Sequence, residues 1–146
     1  MNFLLLFHPI GQLGAIALAF AAAYLGLQRA RSLHFGATVK FKRNLHAGLG
    51  ATSLVVLQTG MIGGLIIFSR FHGTPPLESY HGLGGVVLLP FLLFGIFSGL
   101  YLYASPPRTK ILSALHGINN LLVLLLAVFQ MYSGIQLYMH LIATGN

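Results

Sequence analysis

Long apolar stretches separated by short polar ones set the pattern of this chain. Four stretches, residues 3–27, 45–69, 79–104 and 111–143, are each near or above the roughly 20 residues a helix needs to cross a bilayer. The connection "LQRARSLHFGATVKFKRN" is polar and basic, and "SRFHGTPPLES" and "ASPPRTK" each carry a Pro-Pro pair that cannot continue a helix. Short connections make sequence neighbours antiparallel neighbours. The pattern therefore predicts an all-α fold, an antiparallel up-down-up-down four-helix transmembrane bundle forming a single membrane domain over residues 1–146. The first stretch reads as a helix rather than a cleaved signal, because "MNFLLLF" has no positive leading region and the apolar run exceeds 20 residues.

Composition agrees and narrows the class. With 56% hydrophobic and 6% charged residues, the chain is unlike a soluble domain, where roughly a quarter of residues are charged. Eight Lys and Arg against one acidic residue, Glu78, would elsewhere suggest nucleic acid, but their placement argues against it. Arg29, Arg31, Lys40, Lys42 and Arg43 fall in the first connection, Arg108 and Lys110 in the third, and only Arg70 in the second. This bias puts connections one and three on the cytoplasmic or stromal side and both termini on the non-cytoplasmic side of a bacterial inner or thylakoid-type membrane, in contact with anionic lipid. The absence of cysteine excludes iron–sulfur clusters, disulfides and thioether-attached haem.

The chemistry emerges when the stretches are aligned on their histidines. "FHPIGQLG", "LHAGLGAT", "YHGLGGVV" and "LHGINNLL" place His8, His46, His81 and His116 at successive separations of 38, 35 and 35 residues. A step of 18 residues from each lands on Gly26, Gly64, Gly99 and Gly134. With 18 glycines in 146 residues, chance gives odds on the order of one in several thousand, although membrane helices are glycine-enriched. Eighteen residues are five turns, so each histidine shares a face with its glycine about 27 Å away. Antiparallel packing brings the gap of one helix to the depth of its neighbour's histidine.

In a simple ring the first and third helices are diagonal, as are the second and fourth. His8 then pairs with His81, and His46 with His116. A porphyrin held by two imidazoles needs ligands from opposite faces, which diagonal helices supply, so two pairs point to two haem b groups. The glycines allow close backbone approach. Gly11 and Gln12, Gly48 and Gly50, Gly84 and Gly85, and Asn119 and Asn120 stand near the ligands, where polar groups can orient an imidazole or meet a propionate. Arg43, with Lys40 and Lys42, is placed to neutralise propionates, and Asn120 is a candidate cofactor contact.

These pieces resemble the cytochrome b561 family: "FHP", "RNLH", "SYHG" and "LHG", each about 35 to 38 residues apart, match its four central helices. The resemblance runs from His8 to about Gly134. It implies a di-haem transmembrane electron carrier with bis-histidine ligands, pairing His8 with His81 and His46 with His116. The ascorbate-using members have six helices and an "SLHSW"-like stretch where this chain reads "SYHGLGG". That departure counts against ascorbate as donor and brings in a quinol or a redox protein, with quinone as a further ligand and a larger membrane complex as host.

Other readings stand beside this one. A histidine near a helix start can be simply interfacial, and the chain could be a non-redox structural or pigment-binding subunit of a larger complex. A proton or metal transporter is disfavoured by the near absence of carboxylates from the spans. His34 and His72 read as loop residues. His140, 24 residues beyond His116, competes as a ligand but is rotated about 120° from that residue's face.

Overall fold

The computed structural model describes residues 4–72, 76–105 and 110–144. Four helices, α1 (Leu4–Phe35), α2 (Arg43–His72), α3 (Tyr80–Ala104) and α4 (Lys110–Thr144), carry nearly all of the described chain, with one helical turn at Pro76–Glu78 and no strand among the described residues. All four are long and apolar enough to cross a membrane. Arg108, expected in the third connection, and the side chain of His72 lie outside the described residues.

The helices exceed the apolar stretches, most of all at α1, which continues to Phe35 rather than ending near residue 27. Residues 28–35 contain no Gly or Pro, and their Gln, Arg, Ala and Leu favour helix whatever their polarity. Arg29, Arg31 and His34 consequently lie on the helix. Gly36 stops it by adopting φ +66°, the left-handed conformation that glycine reaches without steric cost, and the Ala37 N–H reaches back to the Arg31 carbonyl at 3.1 Å. At the other end of the molecule, the Ser79 hydroxyl accepts from the Gly82 N–H at 3.0 Å. This N-cap starts α3 one residue before His81, so the cap also fixes the entry of that histidine.

α1 packs most extensively on α2 and α3 on α4; α1 also touches α4, and α2 touches α3. Among the described residues the α1 and α3 backbones make no contact, nor do those of α2 and α4, so these are the diagonals of a ring. Ala15, Ile16, Leu54, Leu57, Leu88, Leu92, Val123, Leu124 and Ala127 fill its centre, with Leu92 fully buried. Lipid is as apolar as leucine, so close packing of small residues rather than water exclusion draws such helices together. A Cβ added to Gly50 would stand 3.8 Å from the Ala22 methyl, in ordinary contact, and buried Ser53 donates to the Ala15 carbonyl at 2.9 Å. Large apolar side chains such as Phe20, Ile66, Phe97 and Leu125 point outward.

Candidate functional site

Each of the four aligned histidines docks on the glycine of its packed partner helix. A Cβ on Gly64 would stand 2.9 Å from His8 Cε1, on Gly26 3.1 Å from His46 Cε1, on Gly134 3.0 Å from His81 Cε1, and on Gly99 3.1 Å from His116 Cε1. The missing side chain is thus the seat of an imidazole.

Seating also fixes the protons. His8 Nδ1 lies 2.9 Å from the Gly60 carbonyl and His46 Nδ1 2.9 Å from the Ala22 carbonyl, each one turn before the glycine beneath the ring. A carbonyl oxygen only accepts, so Nδ1 donates in both. His81 Nδ1 is 3.1 Å from Ser133 Oγ, and His116 Nδ1 2.8 Å from Ser98 Oγ. Ser98 Oγ already donates to the Phe94 carbonyl at 2.6 Å, and Ser133 Oγ to the Gln130 carbonyl at 3.1 Å. Both hydroxyl oxygens therefore accept from Nδ1, and all four imidazoles keep an Nε2 lone pair.

Across the diagonals the rings come together in two pairs. His8 and His81 have centroids 6.1 Å apart with planes at 83°, and His46 and His116 are 6.4 Å apart at 76°. Two imidazoles bound through Nε2 to one metal, with bonds of about 2.0 Å and ring centres about 1.1 Å behind each nitrogen, have centroids about 6.2 Å apart. The observed separations bracket that value. Among the described residues no three His, Asp or Glu side chains converge. Two imidazoles complete a six-coordinate iron only when a macrocycle brings the other four ligands, so the donor set fits haem better than a lone ion, which is usually held by four protein ligands in a closed site.

Asn120 lies against the His116 ring. Its Nδ2 is 3.2 Å from Nδ1 and 3.1 Å from Nε2 while donating to the His116 carbonyl at 2.9 Å. Near-equal distances to both nitrogens place it over the ring face, because the two in-plane lone-pair directions diverge. Asn120 Oδ1 is buried without a hydrogen-bond partner among the described residues, and a Cβ on Gly95 would stand 2.6 Å from it. Neighbouring Asn119 donates to the Phe91 carbonyl at 2.9 Å. At the other pair, the Gln12 amide covers Gly60 and donates to the Val56 carbonyl at 3.1 Å, and the Gln130 amide covers Gly84.

Arg43 stands apart from the rings. Its guanidinium donates to the Leu102 carbonyl at 3.3 Å and to the Tyr103 carbonyl, and lies 5.0 Å from the Tyr103 ring centroid, so it caps the C-terminal end of α3. Beside it, Phe41 meets the His46 ring at 5.4 Å, and Arg29 lies over Phe41 at 5.8 Å. His34 and His140 are exposed. Sequence reasoning overlooked Ser98, Ser133 and Gln130. A signal existed for the serines, since each directly precedes a glycine of the 18-residue step.

Two imidazole pairs across the diagonals of a membrane-length helix bundle fit the class of b-type cytochromes. The chain belongs to the cytochrome b561 family: a family model described as eukaryotic cytochrome b561 matches residues 7–141, nearly its whole length. Comparisons with curated proteins and with solved structures find no match. Membership makes it a transmembrane haem b protein of electron transport.

Proposed function

We propose that this chain is a small di-haem cytochrome in which His8 with His81, and His46 with His116, each hold one haem b, and which transfers electrons across the membrane. The observation carrying this reading is the placement of the diagonal rings at 6.1 and 6.4 Å, with every Nδ1 tied back and every Nε2 left for iron. Bound haem b supplies a one-electron couple with no open iron position, which suits electron transfer rather than substrate chemistry.

The rest is the work of the chain. An antiparallel bundle is supported by the docking pattern, since His8 early in α1 meets Gly64 late in α2, and His46 early in α2 meets Gly26 late in α1. His81 with Gly134 and His116 with Gly99 repeat it. The two levels are then 18 residues apart on each helix, about 27 Å, close to the thickness of the hydrocarbon core. Leu57, Leu92 and Val123 fill the space between them and exclude water.

Seven of the eight cations, including Arg43, Lys40 and Lys42, lie in or beside the α1–α2 and α3–α4 connections. This bias orients the His46–His116 pair toward the cytoplasmic or stromal side and both termini away from it. Residual Arg43 donors on that side suit a propionate, and Asn120 holds the His116 ring. Short connections leave the donor and acceptor, a quinol or a redox protein, to be met at a shared surface within a larger complex. A pigment-binding subunit would use one imidazole per macrocycle and leaves the paired partners without a role.

Purified, cofactor-replete protein should give a sharp b-type band in the reduced-minus-oxidised spectrum and two haems per chain. A haem-free chain, or two haems retained in His8→Ala, would refute the assignment.

A further inference from the structure

The two helical pairs treat their histidines differently. In α1 and α2, His8 and His46 donate directly to the Gly60 and Ala22 carbonyls. In α3 and α4, His81 and His116 donate to serines, whose hydroxyls pass a second hydrogen bond to a carbonyl of their own helix. The His46–His116 pair would thus have one carbonyl-backed and one hydroxyl-backed ligand, whereas in the His8–His81 pair Ser133 shares His81 with the Gln130 carbonyl, one turn before Gly134. Serine stands immediately before the docking glycine in both relay helices, at Ser98–Gly99 and Ser133–Gly134, whereas Leu25 and Gly63 hold those positions in α1 and α2.

We infer that Ser98 and Ser133 are positioning residues that tune the two haems separately: Ser98 acts through His116 on the His46–His116 haem, and Ser133 through His81 on the His8–His81 haem. The inference rests on the di-haem reading. A hydrogen bond from Nδ1–H makes the opposite nitrogen a stronger donor to iron and fixes the ring's tautomer and rotation. Stronger donation favours ferric over ferrous iron and lowers the potential. Two hydrogen bonds in series polarise one another, so the hydroxyl accepts more strongly than an isolated one. The Ser98 relay is the tighter, with links of 2.8 and 2.6 Å. Ser133 links at 3.1 Å to both His81 and the Gln130 carbonyl, and each hydroxyl also has a longer second acceptor, Gln130 Oε1 at 3.3 Å for Ser133 and the Gly95 carbonyl at 3.4 Å for Ser98, so the difference lies in the main links. Ser98 therefore has the larger effect.

Alanine removes the hydroxyl and leaves the packing volume nearly unchanged. Redox titration of purified two-haem protein, with the haems assigned in His81→Ala and His46→Ala proteins that keep one pair, should show a positive midpoint shift. In Ser98→Ala the shift should fall on the His46–His116 haem alone, and in Ser133→Ala on the other alone, smaller in size. Threonine at either position, which keeps the hydroxyl and its bond to the preceding turn, should restore the parent potential. Ser53→Ala supplies the control, because Ser53 is a buried serine bonded to the Ala15 carbonyl, with no imidazole among its hydrogen-bond partners in the described residues. Potentials that stay in place or fall in Ser98→Ala with both haems retained, or a shift reproduced by Ser53→Ala, would overturn the inference alone. A parent chain without haem would overturn the reading beneath it as well.

Discussion

His8 sits on Gly64 with its Nδ1 held by Gly60, one turn earlier on the same helix. The ring is thus fixed at its edge and at its proton, and it cannot retreat from a larger residue without losing the hydrogen bond. Gly64→Ala would bring a Cβ to 2.9 Å from Cε1 and 3.1 Å from Nδ1. Overpacking of this kind typically costs about 1–3 kcal/mol. The variant should lose or loosen the haem at His8–His81 and keep the other, seen as a fall toward one haem per chain. Gly63→Ala, with nothing within 4 Å of its Cβ, should keep both.

The ligand set itself is checked by comparing two histidines. His46→Ala should halve the haem content, because His116 would be left with no second imidazole. His140→Ala should retain both haems and the parent spectrum, since that exposed side chain lies outside the two pairs. Pyridine-haem quantification against protein concentration reads both outcomes. Retention of two haems in the first variant would mean that another residue completes that site.

Arg43 should matter more to the helix ends than to haem retention. Its guanidinium bridges two carbonyls at the end of α3 and stacks on Tyr103, and a lysine cannot reproduce that fork. Arg43→Lys keeps the charge but loses one of the two carbonyl bonds and the stacking, and should lower the thermal midpoint in detergent modestly, at most by the worth of one hydrogen bond, about 0.5–1.5 kcal/mol. Both haems should remain. Loss of the His46–His116 haem in this variant would show that the propionate role dominates.

What the sequence revealed depended on which physical constraint left a periodic trace. Helix number followed from apolar length, and the histidine–glycine step was visible because five turns return to one face. The extension of α1 to Phe35 was hidden, since polar helix formers beyond the span look like a loop to a hydrophobicity argument. The docking of rings on glycines sets a depth and a neighbour, both encoded by spacing. The Nδ1 partners of His8 and His46 are carbonyls of Gly60 and Ala22, whose side chains carry no mark of the role. Only Ser98 and Ser133 could have been noticed. Arg43 was readable as a cation near the surface, but its choice of the α3 carbonyls depends on where α3 ends.

Asn120 and Gly95 offer a test that separates direct contact from general destabilisation. A Cβ on Gly95 would meet Asn120 Oδ1 at 2.6 Å, Leu54 Cδ1 at 3.2 Å and Asn119 Nδ2 at 3.4 Å. The Asn120 amide is held to the His116 carbonyl, so it cannot swing away without uncovering the ring. Gly95→Ala alone should therefore displace Asn120 and weaken the His46–His116 haem site. Asn120→Ala relieves the tightest of the three contacts and also removes a buried oxygen with no hydrogen-bond partner among the described residues, whose burial costs about 1–3 kcal/mol. In that background Gly95→Ala should cost less. A double-mutant cycle on thermal stability should give a coupling of about 0.5–3 kcal/mol, the range for residues in contact. Additive losses would place the two side chains in separate environments and remove the close approach as the reason for glycine at position 95.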